Sequence, residues 1–272
     1  MDLSSGKWDT PELAERYDRI SDSQLEKGAM LVERMGIRAG DRVLDVGCGT
    51  GRLALQVSQL IGPSGSIVGV DPSPQRICVA TEKLVCHEPR NVSFLIKSGE
   101  DLSGLSDCTF DHVYYSSVFH WIEDKPAALR EAYRVLAPGG RIGMTTGDRD
   151  NQLTVGAISN KLFAEPPYAG KVRLEAASNK PVTHGELKAL LAEAGFTDIR
   201  VELHERMRYF PTSADALGFA EANSAGSIFR HVPESLRDQA RRDLSARLEN
   251  LRTSEGIGLS TNSLVAIAIK PE

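Results

Sequence analysis

The sequence predicts an α/β protein built on a mostly parallel sheet with helices on both faces. Three observations carry that prediction. Short β-branched runs alternate with segments of helical character up to about residue 147. The runs are apolar over most of their length, as strands buried on both faces are. The first run also passes into a helix through a glycine-rich turn, which puts a ligand-binding edge at the carboxyl ends of the strands.

The elements follow in order. Strand candidates are "RVLDVG" from residue 42, "SIVGVD" from 66, "VSFLIKS" from 92, "FDHVYYS" from 110 and "RIGMTTG" from 141. Helix candidates lie between them at 51–61, 75–85 and 125–136. The third is expected to end at "LAPGG", where Pro138 stops it and two glycines turn the chain. Past residue 148 the alternation lapses. Residues 148–182 hold "GDRDNQ" and "AEPPYAG", turn-rich and without a strand signal. "VTHGELKALLAEAGF" then begins a helix, with Thr183 and Glu186 at capping-box spacing and Gly195 placed to end it. Two further strands are expected near 197–208 and 263–269. Between them Leu236, Ala240, Leu244, Leu248 and Leu251 recur at helical spacing and read as a helix packed on the body. The expectation is a single domain, with a core of about 39–147, 183–209 and 262–270. Additions at 1–38, 148–182 and 210–260 are placed to cover a site at the strand ends.

Composition narrows the partners. A net charge of −5 over 272 residues offers no basic face for nucleic acid. The arginines from Arg237 to Arg252 are interleaved with Glu234, Asp238, Asp243 and Glu249, the pattern of a solvated helix face. Cys48, Cys78, Cys86 and Cys108 form no CxxC pair, so neither a zinc site nor a disulfide framework is indicated. No signal-peptide pattern and no membrane-length apolar run are present, which reads as a cytoplasmic protein without a membrane span.

"RVLDVGCGTGRLAL" carries the chemistry. Gly47, Gly49 and Gly51 let the backbone approach a ligand and open a helix N-terminus toward it. The dinucleotide fingerprint G-x-G-x-x-G needs a glycine where Arg52 stands, and Asp45 would repel a pyrophosphate. A zwitterionic amino acid suits both features: Asp45 faces its ammonium and the helix amides face its carboxylate. Asp71 ends the second strand, where an acid commonly accepts from ribose hydroxyls. "SGED" at the third strand end offers polar groups to an adenine edge. An amino acid, a ribose and an adenine on one molecule describe S-adenosyl-L-methionine.

"VLDVGCGTGRLAL", "IVGVDPS", "SGEDL", "FDHVYYSSVFHWIED" and "ALREAYRVLAPGGRI" resemble, in order, the motifs of class I S-adenosylmethionine-dependent methyltransferases. The resemblance covers about residues 40–147. It implies a Rossmann-like seven-stranded sheet whose last strand is inserted antiparallel. "HWIEDKPAALREAYRVLAPGG" followed by a long insertion resembles the small-molecule branch: trans-aconitate and malonyl-carrier carboxyl methyltransferases, and ubiquinone-pathway C-methyltransferases. "KWDTPELAERYDRIS" resembles the N-terminal lid of these enzymes, in which a tyrosine like Tyr17 closes over the cofactor.

The resemblance implies roles residue by residue. Asp45, Gly47, Gly49 and Gly51 hold the methionine end. Asp71 holds the ribose, and Pro72 lines the pocket. Arg76 stands where the family often has an apolar residue against the adenine and is expected to stack by its guanidinium plane. Ser98 replaces the usual aspartate, so adenine contacts are expected to lean on Gly99, Glu100 and Asp101. Ser116 offers a backbone carbonyl to the ammonium. His120 sits where active-site residues cluster and reads equally as an acid–base residue or a structural histidine. Trp121 reads as core before substrate platform, Cys48 as a small filler, and His112 as a weaker candidate than His120. His184, in a first helical turn, has no assigned role.

Methyl transfer from a sulfonium asks mainly for alignment and exclusion of water. The leading expectation is therefore transfer to a small organic molecule, with a carboxylate or other oxygen as acceptor, releasing S-adenosyl-L-homocysteine. Alternatives are C-methylation of a quinone-like or natural-product ring, and binding of the cofactor without methyl transfer. A nicotinamide-dependent oxidoreductase is opposed by Asp45 and the glycine spacing. A nucleic-acid methyltransferase is opposed by "SSVF" where an "NPPY"-like tetrad would stand. No metal site is indicated.

Overall fold

The computed structural model describes residues 9–87, 90–150, 153–172, 180–223, 227–260 and 262–272. Lys7 and Trp8 of the lid motif, Asn151 and Gln152 of the turn-rich stretch, and the side chain of Cys86 lie outside them. The chain forms two compact units. One comprises Met1–Asp148, Lys180–Leu203 and Ser263–Glu272, the other Arg149–Asn179 and His204–Asn262.

The first unit opens with helices α1 (Pro11–Ile20) and α2 (Asp22–Met35). Thr10 caps α1 by accepting from Leu13 N–H, and Pro11 sits at its first position. The sheet elements then alternate: β1 (Arg42–Val46), α3 (Arg52–Ile61), β2 (Ser66–Asp71), α4 (Pro74–His87), β3 (Val92–Ile96), β4 (Phe110–Ser116), α5 (Lys125–Val135) and β5 (Leu136–Gly147). After α6 (Val155–Phe163) in the second unit come α7 (His184–Glu193) and β6 (Thr197–His204). The predicted capping box of α7 is present, with Glu186 N–H donating to Thr183 Oγ1 and Thr183 N–H to Glu186. The second unit continues with β7 (Met207–Phe210), α8 (Ser213–Asn223), α9 (Glu234–Glu249), β8 (Arg252–Thr253) and β9 (Gly256–Ser260). Finally β10 (Ser263–Ile269) returns to the first unit.

The main sheet runs β3-β2-β1-β4-β5-β10-β6. The ladders β2–β3, β1–β2, β1–β4 and β4–β5 are parallel, and β10 is antiparallel to β5. This is the Rossmann-like sheet that the motifs implied. Alternate residues of each strand feed two separate cores. Leu44, Val46, Val113 and Tyr115 pack with Leu129 of α5 and Leu187 of α7. Val43, Ile67 and Tyr114 pack with Leu31 of α2 and Val57 of α3. Both faces are apolar because both are covered.

Three sequence expectations shift. "LAPGG" is not a turn before the fifth strand but part of β5. Its residues bulge out of the ladder, so Phe110 pairs with Leu136 but His112 already with Arg141. The strand expected near 197–208 divides at Glu205 into β6 and β7, which belong to different sheets. The stretch read as turn-rich holds α6, whose Thr154 cap on Ala157 N–H offsets the β-branched and glycine residues inside it. In the second unit β7-β9-β8 form a small antiparallel sheet. Ala240, Leu244 and Leu248 of α9 pack there with Phe163, Phe210 and Ile257, so the leucine stripe is core. Among the described residues no helix is long and apolar enough to cross a membrane.

Lys270 ties the last strand to the end of α5. It is 8% exposed, and its Nζ donates to the carbonyls of Tyr133 and Leu136, each at 2.7 Å. A cation there satisfies carbonyls left over at the helix C-terminus. Lys270→Met is expected to destabilise the protein by about 1.5–3 kcal/mol, the worth of hydrogen bonds to a charged group. Urea denaturation followed by circular dichroism measures this, and an unchanged midpoint would remove the cap from the account.

Candidate functional site

Asp45 is 1% exposed and lies in register between Gly69 of β2 and Tyr114 of β4. Parallel register sets same-face side chains side by side, and Tyr114 Oη donates to Asp45 Oδ2 at 2.9 Å. Burial pushes the Asp45 carboxyl up to about 7; the Tyr114 bond pulls against this, and the charge of Asp71 adds to it. A buried carboxyl so poised near neutrality is completed by a cation, which favours its ionised form.

The glycine turn leaves β1 directly above this carboxyl. Gly47 and Cys48 N–H both donate to the Val70 carbonyl, at 2.7 and 3.0 Å, and Gly49 N–H donates to Asp71 Oδ2 at 2.9 Å. Gly47 has φ +76°, and a Cβ there would fall 2.4 Å from Val118 Cγ2. Gly51 has φ +76° as well, with Phe94 Cζ at 2.6 Å from a Cβ. Neither position admits another residue without rebuilding the turn. Gly51 also stands at the N-cap of α3, which receives no side-chain cap, so the first turn presents its N–H groups to ligand or solvent. Cys48 is buried and fills space beside Gly69.

Asp71 is 7% exposed, and its Oδ1 accepts from Ser73 N–H at 2.9 Å. Burial raises its pKa, against the opposing pull of Arg76 and the two backbone donors. Pro72 follows it, partly buried, at the turn into α4. The Arg76 guanidinium lies 4.4 Å from the centre of the Tyr17 ring, and its Nε donates to Asp9 Oδ2 at 2.9 Å. Tyr17 is half-buried and sits over Gly49, its Cε1 3.5 Å from where a Cβ would be.

The α1–α2 segment is held to the glycine turn by matched charges. Asp18 accepts from Thr50 Oγ1 at 2.6 Å and pairs with Lys83, whose Nζ also donates to the Thr50 carbonyl at 2.9 Å. Arg52 donates to the Asp18 carbonyl at 2.9 Å and to Asp22 Oδ1 at 2.6 Å. Arg52, Arg76 and Lys83 are thus each paired with an acid from the α1–α2 segment or its approach. A pyrophosphate would meet two buried carboxylates and cations already taken.

At the third strand end, Gly99 is buried so tightly that a Cβ would lie 3.0 Å from Val46 Cγ1 and 3.1 Å from Ile122 Cδ1. Glu100 Oε1 accepts from Glu123 and Asp124 N–H, at 2.9 and 3.3 Å. Asp101 is exposed, with Oδ1 on Ser103 N–H at 3.0 Å. The Glu100 side chain thus joins the segment ahead of α5, that of Asp101 serves its own turn, and Ser98, half-buried, lies with Gly99 at the strand end. Ser116 ends β4 opposite Thr145 of β5, and α2 passes so close that a Cβ on Gly28 would lie 2.8 Å from Ser116 Oγ. Next to it Ser117 has φ +59°, held by its N–H donating to both the carbonyl and the hydroxyl of Thr145, at 3.0 and 2.9 Å. Strain of this kind persists where neighbours over-determine it, often at functional sites.

His120 lies in a 3-10 turn, Phe119–Trp121. Its Nδ1 accepts from Gly147 N–H at 3.3 Å and lies 3.3 Å from Thr146 Oγ1. A backbone N–H only donates, so Nδ1 is unprotonated and the neutral ring carries its proton on Nε2. Burial, with the Lys125 and Lys27 charges adding, pulls its pKa down to about 3. With Nδ1 accepting, the neutral ring offers Nε2–H as a donor. Trp121 is half-buried against the His120 ring, centroids 5.2 Å apart, rather than in the core. His112 pairs with Asp41 at 3.1 Å near the start of β1, away from the glycine turn, and His184 meets the Val201 carbonyl at 3.0 Å. Asp9, Asp18, Tyr114 and Ser117 escaped the sequence reading. Only Tyr114 left a signal, since a phenol in a strand buried on both faces needs an acceptor.

The family described as a methyltransferase domain matches residues 37–195. The ubiquinone/menaquinone biosynthesis C-methyltransferase UbiE of Pseudomonas putida is 32% identical over 210 residues, 71% of this chain and 80% of that protein. An arsenite methyltransferase of Aquipseudomonas alcaligenes is 40% identical over 120 residues, 42% of this chain, and the match spans only 35% of its length. The solved structure of the YcgJ protein of Bacillus subtilis shares the fold, with a TM-score of 0.64 at 19% identity over 91% of this chain and 99% of that one.

Two outcomes follow from the site's electrostatics. With a folded pKa above the ordinary 3.8, the native state holds the Asp45 proton longer than the unfolded chain, so stability falls as pH rises from about 4 to about 7 and then levels. Asp45→Asn, which keeps an acceptor for Tyr114, is expected to be more stable than wild type at pH 8 by up to about 4 kcal/mol. The difference should close toward pH 4 in urea titrations; a constant difference would mean that Asp45 ionises normally. For the lid, Lys83→Met and Asp18→Asn are expected to lower hydrogen-exchange protection of residues 11–20, and high salt to do the same in wild type. Unchanged protection would leave the ion pairs without a role in docking.

Proposed function

Since the chain belongs to the S-adenosylmethionine-dependent methyltransferases, we propose that it methylates a small organic molecule held through an oxygen atom by His120 Nε2–H. S-adenosyl-L-methionine is the cofactor, and when bound it supplies an activated methyl group on a sulfonium. The residues present fit it. Asp45 is a buried carboxyl short of a cation, Asp71 stands at the end of β2, and the glycine turn admits close backbone approach beneath Tyr17. In this reading Asp45 takes the ammonium, the uncapped first turn of α3 the carboxylate, and Asp71 the ribose.

The observation that carries the acceptor class is the Gly147 N–H on His120 Nδ1. It makes the histidine a fixed donor, suited to a carboxylate, phenolate or carbonyl oxygen and unsuited to taking a proton. An ionised carboxylate needs no base, and methyl-ester formation is the first reading. The similarity to UbiE over 80% of that protein favours a second, C-methylation of a quinone-like ring, in which the same donor would hold the ring oxygen. Arsenite is less well supported. A soft As(III) centre suits thiolates, and among the described side chains Cys48, Cys78 and Cys108 do not share an element.

Titration calorimetry with S-adenosyl-L-homocysteine should show Asp45→Asn binding about 1.5–3 kcal/mol more weakly. Below pH 7, binding should expel a proton from Asp45. Methyl transfer from labelled cofactor to panels of carboxylates, phenols and quinols then identifies the acceptor. At saturating cofactor, His120→Ala is expected to raise KM about tenfold or more with no change in the pH profile of kcat. A kcat limb near pH 6–7 that disappears in His120→Ala would restore the general base and reject the donor role.

A further inference from the structure

One buried oxygen beside Asp71 has no account in the site so far. Asp9, just ahead of α1, is 3% exposed. Its Oδ2 accepts from Ser73 Oγ at 2.7 Å and from Arg76 Nε at 2.9 Å. Its Oδ1 is buried without a hydrogen-bond partner, as is Gln75 Oε1 in the first turn of α4. Leaving a charged acceptor unsatisfied costs more than an ordinary hydrogen bond returns, so such an atom in a native fold calls for a donor.

The neighbours of Asp9 say what kind of donor. Ser73 joins two carboxylates: its N–H donates to Asp71 Oδ1 at 2.9 Å and its hydroxyl to Asp9 Oδ2 at 2.7 Å. Arg76 lies within the field of both carboxylates and hydrogen-bonds Asp9. Two carboxylates bracketing one residue, each an acceptor only, match two adjacent neutral hydroxyls. In the reading given above, on which this step rests, the ribose of the cofactor occupies the end of β2. We infer that Asp9 is a second acceptor for the ribose diol, carried on the lid segment, with Asp71 taking one hydroxyl and Asp9 Oδ1 the other. Closure of α1 then depends on the sugar itself: a ligand lacking the matching hydroxyl leaves Oδ1 unpaired and forfeits part of the docking.

The test is calorimetry of wild type, Asp9→Ala and Asp9→Asn with S-adenosyl-L-homocysteine and its 2′-deoxy and 3′-deoxy analogues, each variant checked for folding by circular dichroism. Wild type is expected to bind one deoxy analogue about 10- to 100-fold more weakly than the parent through the bond lost at Asp9. Asp9→Ala should lose a similar factor with the parent and nothing further with that analogue. Asp9→Asn, which keeps a neutral acceptor, should retain part of the discrimination. Equal weakening of all three ligands by Asp9→Ala would make Asp9 only a brace for Arg76 and overturn the inference. So would wild type binding every analogue equally. Wild type that fails to bind the parent compound rejects the cofactor reading itself, whereas binding without coupling to Asp9 rejects this inference alone.

Discussion

The carbonyl of Val70 is the point on which the site turns. It accepts from both Gly47 and Cys48 N–H and so ties the turn after β1 to the end of β2. Asp71, the next residue, holds Gly49 N–H through its side chain. With these bonds made, the turn lies over the end of β1, Asp45 is sealed beneath it, and α3 starts without a cap. Each later feature assumes that geometry. Tyr17 can rest over Gly49 because the glycine presents no side chain, and Thr50, buried next to it, donates to Asp18.

A second theme is the division of charge. The sheet side of the site carries Arg52, Arg76 and Lys83, whereas the N-terminal segment brings Asp9, Asp18 and Asp22. Pairs of this kind are worth little individually when exposed. Asp9 with Arg76 is well buried, however, and breaking one half of a buried pair is costly. The pairing also removes free positive charge from the surroundings of the glycine turn. Buried acids and committed cations are together a poor setting for a phosphate.

Much of this was legible in the sequence, for physical reasons that particular residues show. β1 to β5 and α3 to α5 announce themselves by alternation, and Thr183 with Glu186 gave the start of α7 to the residue, because capping is local chemistry. Asp45 and Asp71 are readable because their place at strand ends limits what they can meet. Tyr114 shows that its phenol needs an acceptor but not which one, since its partner depends on the register between β1 and β4. Asp9 and Asp18 act only once a helix docks far along the chain, which no local pattern encodes. The protonation of His120 is set by an amide of Gly147, which no local pattern gives. The second unit is discontinuous in the chain. Its halves, Arg149–Asn179 and His204–Asn262, are split by a segment of the main sheet.

The order of the strands bears on how the protein is made. β10, the last strand of the chain, lies between β5 and β6. As the polypeptide leaves the ribosome, β6 therefore emerges with no neighbour to pair with, and β5 keeps a bare hydrogen-bonding edge until Ser263 and the residues after it appear. The second unit must be synthesised in that interval. Long-range pairing of this kind is slow, and an open apolar edge invites association between nascent chains. Tailoring codon usage or chaperone supply to the stretch from β6 to β10 is accordingly where expression of this chain has most to gain.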